Sequence, residues 1–318
     1  MTRGDLLGLP LGFFTGKKDG GLRPLQDYRV VNSWMIRDVY PIPRIEQILE
    51  GLEGKVLFTA LDIRWGYHNI QIRDEDQWKA VFKTPYGIFK PKVMFFGLAN
   101  SPPTFQRFMD RIFAPIKRRY PGNVFAYMDD ILIATGNDIG LHRRIVHEVL
   151  DLLAEESLFC KLSKCHFEQT SITYLGIVVE AGTIRIDPTK LNGLLAWPRK
   201  LTTIKQVWTT LGVFGYHRMF IPGYANIVRP INNLLKVDVP FEWTDEHTAA
   251  MDQLADAVAT NPILQRPNYE RPFFLKVDAS QFATGAVLSQ KDDRGRLRPV
   301  RSVSRSFNQA ERNYDIHN

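Results

Sequence analysis

Cysteine is scarce: two residues in a chain of 318. That number excludes a disulfide framework and fits a reducing compartment. Cys160, Cys165 and His166 lie close together, but their spacing matches no zinc pattern, so they read as packing residues. Long apolar runs are missing too; none approaches the ~20 residues of a membrane span. Leu6 to Phe14 is interrupted by Gly8, Pro10 and Gly12 and does not read as a secretion signal. A cytoplasmic or nuclear location without membrane contact is expected. No repeat and no low-complexity linker breaks the chain. Acidic excess is absent as well: 41 Lys and Arg against 34 Asp and Glu leave a net charge of +7. Such a balance favours a polyanionic partner. Hydrophobic content of 44% and charged content of 24% are those of an ordinary globular protein, long enough for two or more domains.

What is present is concentrated in Phe125-Ala126-Tyr127-Met128-Asp129-Asp130-Ile131-Leu132-Ile133-Ala134. Asp is disfavoured inside strands, so two adjacent acids in an apolar, β-prone run break the local rule. The simplest geometry is a hairpin, with Phe125–Tyr127 and Ile131–Ala134 as strands and the acids at the tight turn. A bare Asp pair between strands is ordinarily a solvated turn. Here Leu61-Asp62-Ile63 offers a further carboxylate on a second apolar strand. Carboxylates on a rigid tip suit hard divalent cations, Mg²⁺ above all.

Periodicity places the rest. Ile45, Ile48, Leu49 and Leu52 follow helical spacing after Tyr40-Pro41-Ile42-Pro43. Ser101-Pro102-Pro103 opens a helix carrying Phe105, Phe108, Met109 and Ile112 on one face. Leu141 to Ser157 forms another, with Ile145, Val149, Leu152 and Leu153 inward. Ile204, Val207, Trp208 and Leu211 form a later stripe read as core. Phe273 to Ser280 and Ala286 to Leu288 read as strands, and Lys17 to Gly21 and Lys291 to Gly295 as turns.

The ordered set of neighbours decides between the solvated turn and a site. Gly20-Gly21-Leu22-Arg23-Pro24-Leu25-Gln26-Asp27-Tyr28-Arg29 is followed by Leu61-Asp62-Ile63-Arg64-Trp65-Gly66-Tyr67-His68. Then come Phe96-Gly97-Leu98-Ala99-Asn100-Ser101-Pro102-Pro103-Thr104-Phe105-Gln106, the Tyr-Met-Asp-Asp hairpin, Lys161-Leu162-Ser163-Lys164-Cys165 and Tyr174-Leu175-Gly176. In that order these segments resemble the polymerase motifs of reverse transcriptases from gypsy-like LTR retrotransposons, fungal type. The resemblance runs from about Gly12 to the last residue.

The resemblance implies an α+β right-hand polymerase followed by a tether and a truncated ribonuclease H-like fragment. Fingers would span 1–38 and 68–100, palm 39–67 and 101–186, thumb 187–236, tether 237–270, and the partial ribonuclease H-like domain 271–318. It implies an RNA-directed DNA polymerase that joins deoxynucleoside triphosphates to a primer on an RNA or DNA template. The alternative is a truncated, non-catalytic, nucleic-acid-binding remnant, since most of the N-terminal fingers is expected to be missing. Asp62, Asp129 and Asp130 would be the catalytic acids and the ligands of two Mg²⁺ ions, with Mn²⁺ as a possible substitute. Lys17, Arg23, Ile63, Tyr67, Phe96, Gly97 and Gln106 would bind the nucleotide, Tyr67 by excluding a 2′-hydroxyl, with Asn100 helping Gln106. Tyr174, Leu175 and Gly176 would form the primer grip and Lys164 the general acid toward pyrophosphate. Asp278 would be the first ligand of a ribonuclease H site whose other acids are missing, so hybrid cleavage is expected to be absent. A viral RNA-dependent RNA polymerase is disfavoured, because those usually carry Gly where Tyr127 precedes the hairpin acids and a smaller residue than Tyr67.

Overall fold

The computed structural model describes residues 12–16, 20–260 and 263–313. Lys17 and Asp315 lie outside the described residues, as does the side chain of Arg23. Two compact units divide at Gln169/Thr170, within the 101–186 range expected for the palm.

The first unit begins with an antiparallel ribbon, β1 (Gly12–Gly16) against β2 (Leu22–Gln26). Short helices α1 (Arg29–Trp34) and α2 (Ile45–Glu50) precede β3 (Leu57–Asp62). A small ribbon, β4 (Phe82–Thr84) and β5 (Gly87–Phe89), leads to helix α3 (Ser101–Arg119). Then come β6 (Val124–Tyr127), β7 (Asp130–Thr135), helix α4 (Ile139–Glu155) and β8 (His166–Gln169). Strands β3, β6, β7 and β8 make an antiparallel sheet in the order β6-β7-β3-β8.

Local chemistry explains the helices. Pro102 and Pro103 stand in the first turn of α3, where a missing N–H costs nothing, and Lys117, Arg118 and Arg119 complement the dipole at its end. Asp138 caps α4, its carboxylate accepting from the Leu141 N–H at 2.9 Å. The expected faces of both helices turn to one core, where Phe105, Met109 and Ile112 with Ile145, Val149 and Leu153 are buried beside Leu61, Ile131 and Ile133, while Phe108 and Leu152 of those faces are only partly buried against it. Ile131 to Ala134 are wholly buried. At ~25 cal/mol per Å² of apolar area, this layer is the main support of the unit.

The second unit has a sheet of its own. Strands β9 (Ser171–Tyr174), β10 (Ile177–Glu180) and β11 (Thr183–Ile186) form a meander, extended by β12 (Ile263–Gln265) beside β11. Helices α5 (Pro188–Leu195), α6 (Ile204–Tyr216), α7 (Tyr224–Ile227), α8 (Arg229–Asn233) and α9 (Asp245–Thr260) lie between. The stretch expected as a tether thus carries a helix, α9, which buries Met251, Leu254 and Val258. Another expectation is corrected in α6. Val207, Thr210 and Phe214 are its buried residues, whereas Ile204 and Trp208 are exposed. Thr210 can enter the core because its Oγ1 accepts the Trp197 Nε1–H at 2.8 Å, which hides a polar residue on the inward face. The chain then forms a three-stranded meander, β13 (Phe274–Ala279), β14 (Ala283–Lys291) and β15 (Leu297–Ser306).

Candidate active site

The hairpin has a two-residue turn, and only one acid of the pair lies on it, the other opening β7. Tyr127 pairs with Asp130, leaving Met128 and Asp129 as the turn. Met128 takes a positive φ of 53°, a conformation usually left to Gly or Asn. The strain is held by fixed partners. Met128 N–H donates to Gln106 Oε1 at 2.8 Å, and Asp129 C=O accepts the Ile63 N–H at 2.9 Å. Gln106 Nε2 donates to Ala126 C=O at 3.1 Å and to Asp110 Oδ2 at 3.2 Å, and Gln106 has zero exposure. Its amide therefore braces the turn from beneath instead of facing a nucleotide, which corrects the expectation for this residue.

Across the sheet Asp62, the last residue of β3, is in register with Asp130, the first of β7. Gly66 lets the chain after β3 pass close to the turn: a Cβ there would lie 3.3 Å from the Cβ of Asp129. A cavity of about 650 Å³ opens here, lined among others by Asp62, Ile63, Phe96, Asp129 and Lys164. Five expected site residues thus converge on one space. Arg64, Trp65, His68, Cys160, Lys161 and Leu162 line it too and are not among the site residues expected from the sequence. Arg64 and Lys161 stand within strings already recognised; Cys160 is brought in by a bridge to Ile63 almost a hundred residues away.

Lys164 Nζ is 2.8 Å from Asp62 Oδ2. Burial, then the charges of Asp129 and Asp62, push the Asp130 carboxyl up to about 6. Tyr67 is half-buried between Phe96 and Phe105, with ring centroids 4.9 and 5.7 Å away. Its hydroxyl pKa is raised by burial and then by the charge of Asp129.

Other expected residues lie elsewhere. Gly97, at φ 100°, comes so close to the chain at Gln26 that a Cβ would sit 2.9 Å from its carbonyl oxygen, so its role is backbone approach. Asn100 braces residues 36–38 through bonds with Ile36 C=O and Asp38 N–H at 2.9 and 3.0 Å. In the second unit Leu175 and Gly176 both take positive φ in the β9–β10 turn, and Tyr216 Oη donates to Leu175 C=O. Asp278 lies on β13, whose six residues are all exposed. Asp292 accepts bonds from Arg294, Arg296 and Arg298 in the β14–β15 turn, as its loop position suggests.

Residues 15–179 match the family described as reverse transcriptase (RNA-dependent DNA polymerase). The chain belongs to this family. Residues 243–318 match the RNase H-like domain found in reverse transcriptase, a match that begins at α9. The Tf2-3 and Tf2-7 transposon polyproteins of Schizosaccharomyces pombe (strain 972 / ATCC 24843) are 34% and 33% identical over 305 residues. That covers 95% of this chain and 22% of each polyprotein. Among solved structures, the foamy viral protease–reverse transcriptase dRH with double-stranded DNA has a TM-score of 0.78 at 23% identity, covering 96% of this chain and 53% of that one. The same viral protein with an RNA/DNA hybrid gives 0.76 at 22% identity, covering 96% and 40%. The likeness shows the fold, and the α+β reverse transcriptase architecture expected from the sequence, with its ribonuclease H-like segment, is the one shared.

Two of the three acids line the cavity of this reverse transcriptase domain, and no three acidic, His or Cys side chains are grouped to hold an ion among the described residues. That donor set fits Mg²⁺, which is usually held by one or two carboxylates together with substrate phosphates and water rather than by a closed cage. No described helix is long and apolar enough to cross a membrane.

Proposed function

We propose that this domain is an RNA-directed DNA polymerase, transferring deoxynucleotides to a primer 3′-hydroxyl on an RNA or DNA template. The observation that carries the reading is the convergence of Asp62 and Asp129 on one cavity, with Asp130 in register behind them. Mg²⁺, or Mn²⁺ in its place, bound as a pair of ions, would lower the pKa of the primer hydroxyl and neutralise the triphosphate.

The chain's own residues do the positioning. Asp62 and Asp129 present carboxylate oxygens from the end of a strand and the tip of a turn, both fixed by backbone bonds. Asp130, half-buried and crowded, supports them from the sheet. The Tyr67 ring, wedged by Phe96 and Phe105, cannot retreat from a sugar stacked against it, so a 2′-hydroxyl meets a wall. Lys17 and Arg23 are assigned to the triphosphate, a task suited to fixed cations, and Lys164 to protonation of departing pyrophosphate. Tyr174, Leu175 and Gly176 are assigned to the primer end. In each case positioning and electrostatics supply the acceleration.

The test is extension of a labelled DNA primer on an RNA template by the purified chain with Mg²⁺ and deoxynucleotides. Template-dependent extension is expected. Duplex binding without extension would favour a non-catalytic remnant.

A further inference from the structure

Lys164 sits on a loop whose backbone is fastened to the strand that carries Asp62. Lys161 N–H donates to Asp62 C=O at 2.9 Å, Arg64 N–H to Phe159 C=O at 2.7 Å, and Cys160 bridges Ile63. Within the loop, Lys164 N–H donates to Lys161 C=O at 2.8 Å. The Cα of Lys164 therefore has a fixed address, and only its four-carbon stem can move. That stem ends 2.8 Å from Asp62 Oδ2. The lysine side chain is 53% exposed and the Asp62 side chain 20%. Swinging the ammonium out to water thus costs little desolvation, whereas Asp62 left alone would lose its nearest cation.

We propose that Lys164 is the resting counter-ion of Asp62 and gives up this carboxylate when a divalent cation loads, so that its ammonium is released toward phosphate only once the cation is held. The inference rests on the metal-site reading above and adds an order to it. An ammonium 2.8 Å from Oδ2 and a divalent cation on the same carboxylate repel each other and draw on the same negative charge, so the two compete for Asp62. A lysine is suited to this hand-over, because its point charge rides a flexible stem and makes no bidentate clamp. The same side chain then stands free within the cavity that holds Asp129 and Phe96, where a phosphate leaving group needs a proton donor.

The experiment is Mn²⁺ binding without substrate, read from the free-ion electron paramagnetic resonance signal. It compares wild type, Lys164→Met, Lys161→Met and Asp129→Asn. Lys161 also lines the cavity and meets Asp62 through its backbone N–H, so Lys161→Met removes an equal charge while that bond stays. Lys164→Met is expected to bind Mn²⁺ about two- to fivefold more tightly, the range of one partly exposed ion pair. Lys161→Met should tighten binding less than Lys164→Met does, because the bond from Lys161 to Asp62 is made by the backbone and survives the substitution. Unchanged or weaker binding in Lys164→Met would overturn the proposal, as would equal tightening in both lysine variants. Asp129→Asn should weaken binding about tenfold or more; if it binds like wild type, the metal-site reading itself fails and takes the proposal with it. In the wild type, Mg²⁺ should also shift the Lys164 Nζ resonance in nitrogen-15 spectra, and a signal that stays put would rule out the release.

Discussion

Both units carry an aspartate on a strand of an antiparallel sheet, and the two are supported in opposite ways. Asp129 and Asp130 stand at the head of β7, whose next four residues are wholly buried, and the turn between them and β6 is clamped by a zero-exposure glutamine. Asp278 stands on β13, exposed along its whole length, opposite Gly285 of β14. Apolar side chains surround it without covering it: Leu275 and Val277 remain more than half exposed. A carboxylate is common on any surface. What distinguishes the first unit is that a packed layer holds its acids within reach of one another, so that their charges act on each other and on whatever enters the cavity.

The widest gap between the two regions is expected in catalysis. Asp129→Asn should lower primer extension by at least about a thousandfold, because it removes one of two cavity-lining carboxylates without changing volume. Asp278→Asn should leave extension unchanged. Single-turnover extension on one primer–template measures both, and equal losses would show that the comparison is drawn between the wrong acids.

Support comes next. Gln106→Leu keeps the volume but strands the Met128 N–H and the Ala126 C=O in the interior, at a cost of about 2–4 kcal/mol in urea unfolding. Thr284→Ala removes a hydroxyl that reaches the Asp278 C=O only at 3.5 Å on the surface, and should cost less than about 0.5 kcal/mol. Comparable losses at the two sites would mean that the first hairpin is no better braced than the second sheet.

Selectivity is a smaller effect within the first region. Tyr67→Ala opens the space between Phe96 and Phe105 and should raise ribonucleotide incorporation relative to deoxynucleotide by about 10- to 100-fold. An unchanged ratio would leave Tyr67 as a packing residue only.

The sequence carried the parts whose chemistry is local. An Asp pair inside Tyr127 to Ala134 violates strand preference, and a violation of that kind points to a site. Helices α3 and α4 announced their buried faces by spacing, since Phe105, Met109 and Ile112 and then Ile145, Val149 and Leu153 all lie inward. What escaped depended on partners far along the chain. Gln106 reads as a cleft residue until Met128, twenty-two positions on, is seen to hang from its oxygen. Thr210 looks like a surface residue until Trp197 donates to it, and Trp208, two positions earlier, is exposed. Helix α9 is legible in the same way as α3 and α4: Met251, Leu254, Ala255 and Val258 repeat at helical spacing and are all buried.

The smallest effect tests whether the crowding that marks the first region is an electrostatic burden there. In the folded chain Asp130 is pushed up to about 6 from 3.8, by burial first and by Asp129 and Asp62 next, with Lys164 opposing. A carboxyl raised on folding holds its proton more tightly in the native state. Its stabilising contribution is complete below about pH 4, where both states are protonated, and is lost as pH rises through about 6. Asp130→Asn stays neutral throughout. Measured by urea unfolding in EDTA, the variant should match the wild type near pH 4 and exceed it by about 1–2 kcal/mol at pH 8. That figure lies below the full equivalent of the shift because Asp130 is only half-buried and solvent screens its charge. If Asp130→Asn is the less stable protein at pH 8, the ionised carboxylate is a net asset, held by Lys164 more strongly than its neighbours repel it. The acids of the first unit would then be a satisfied cluster, and the contrast with Asp278 would rest on packing alone.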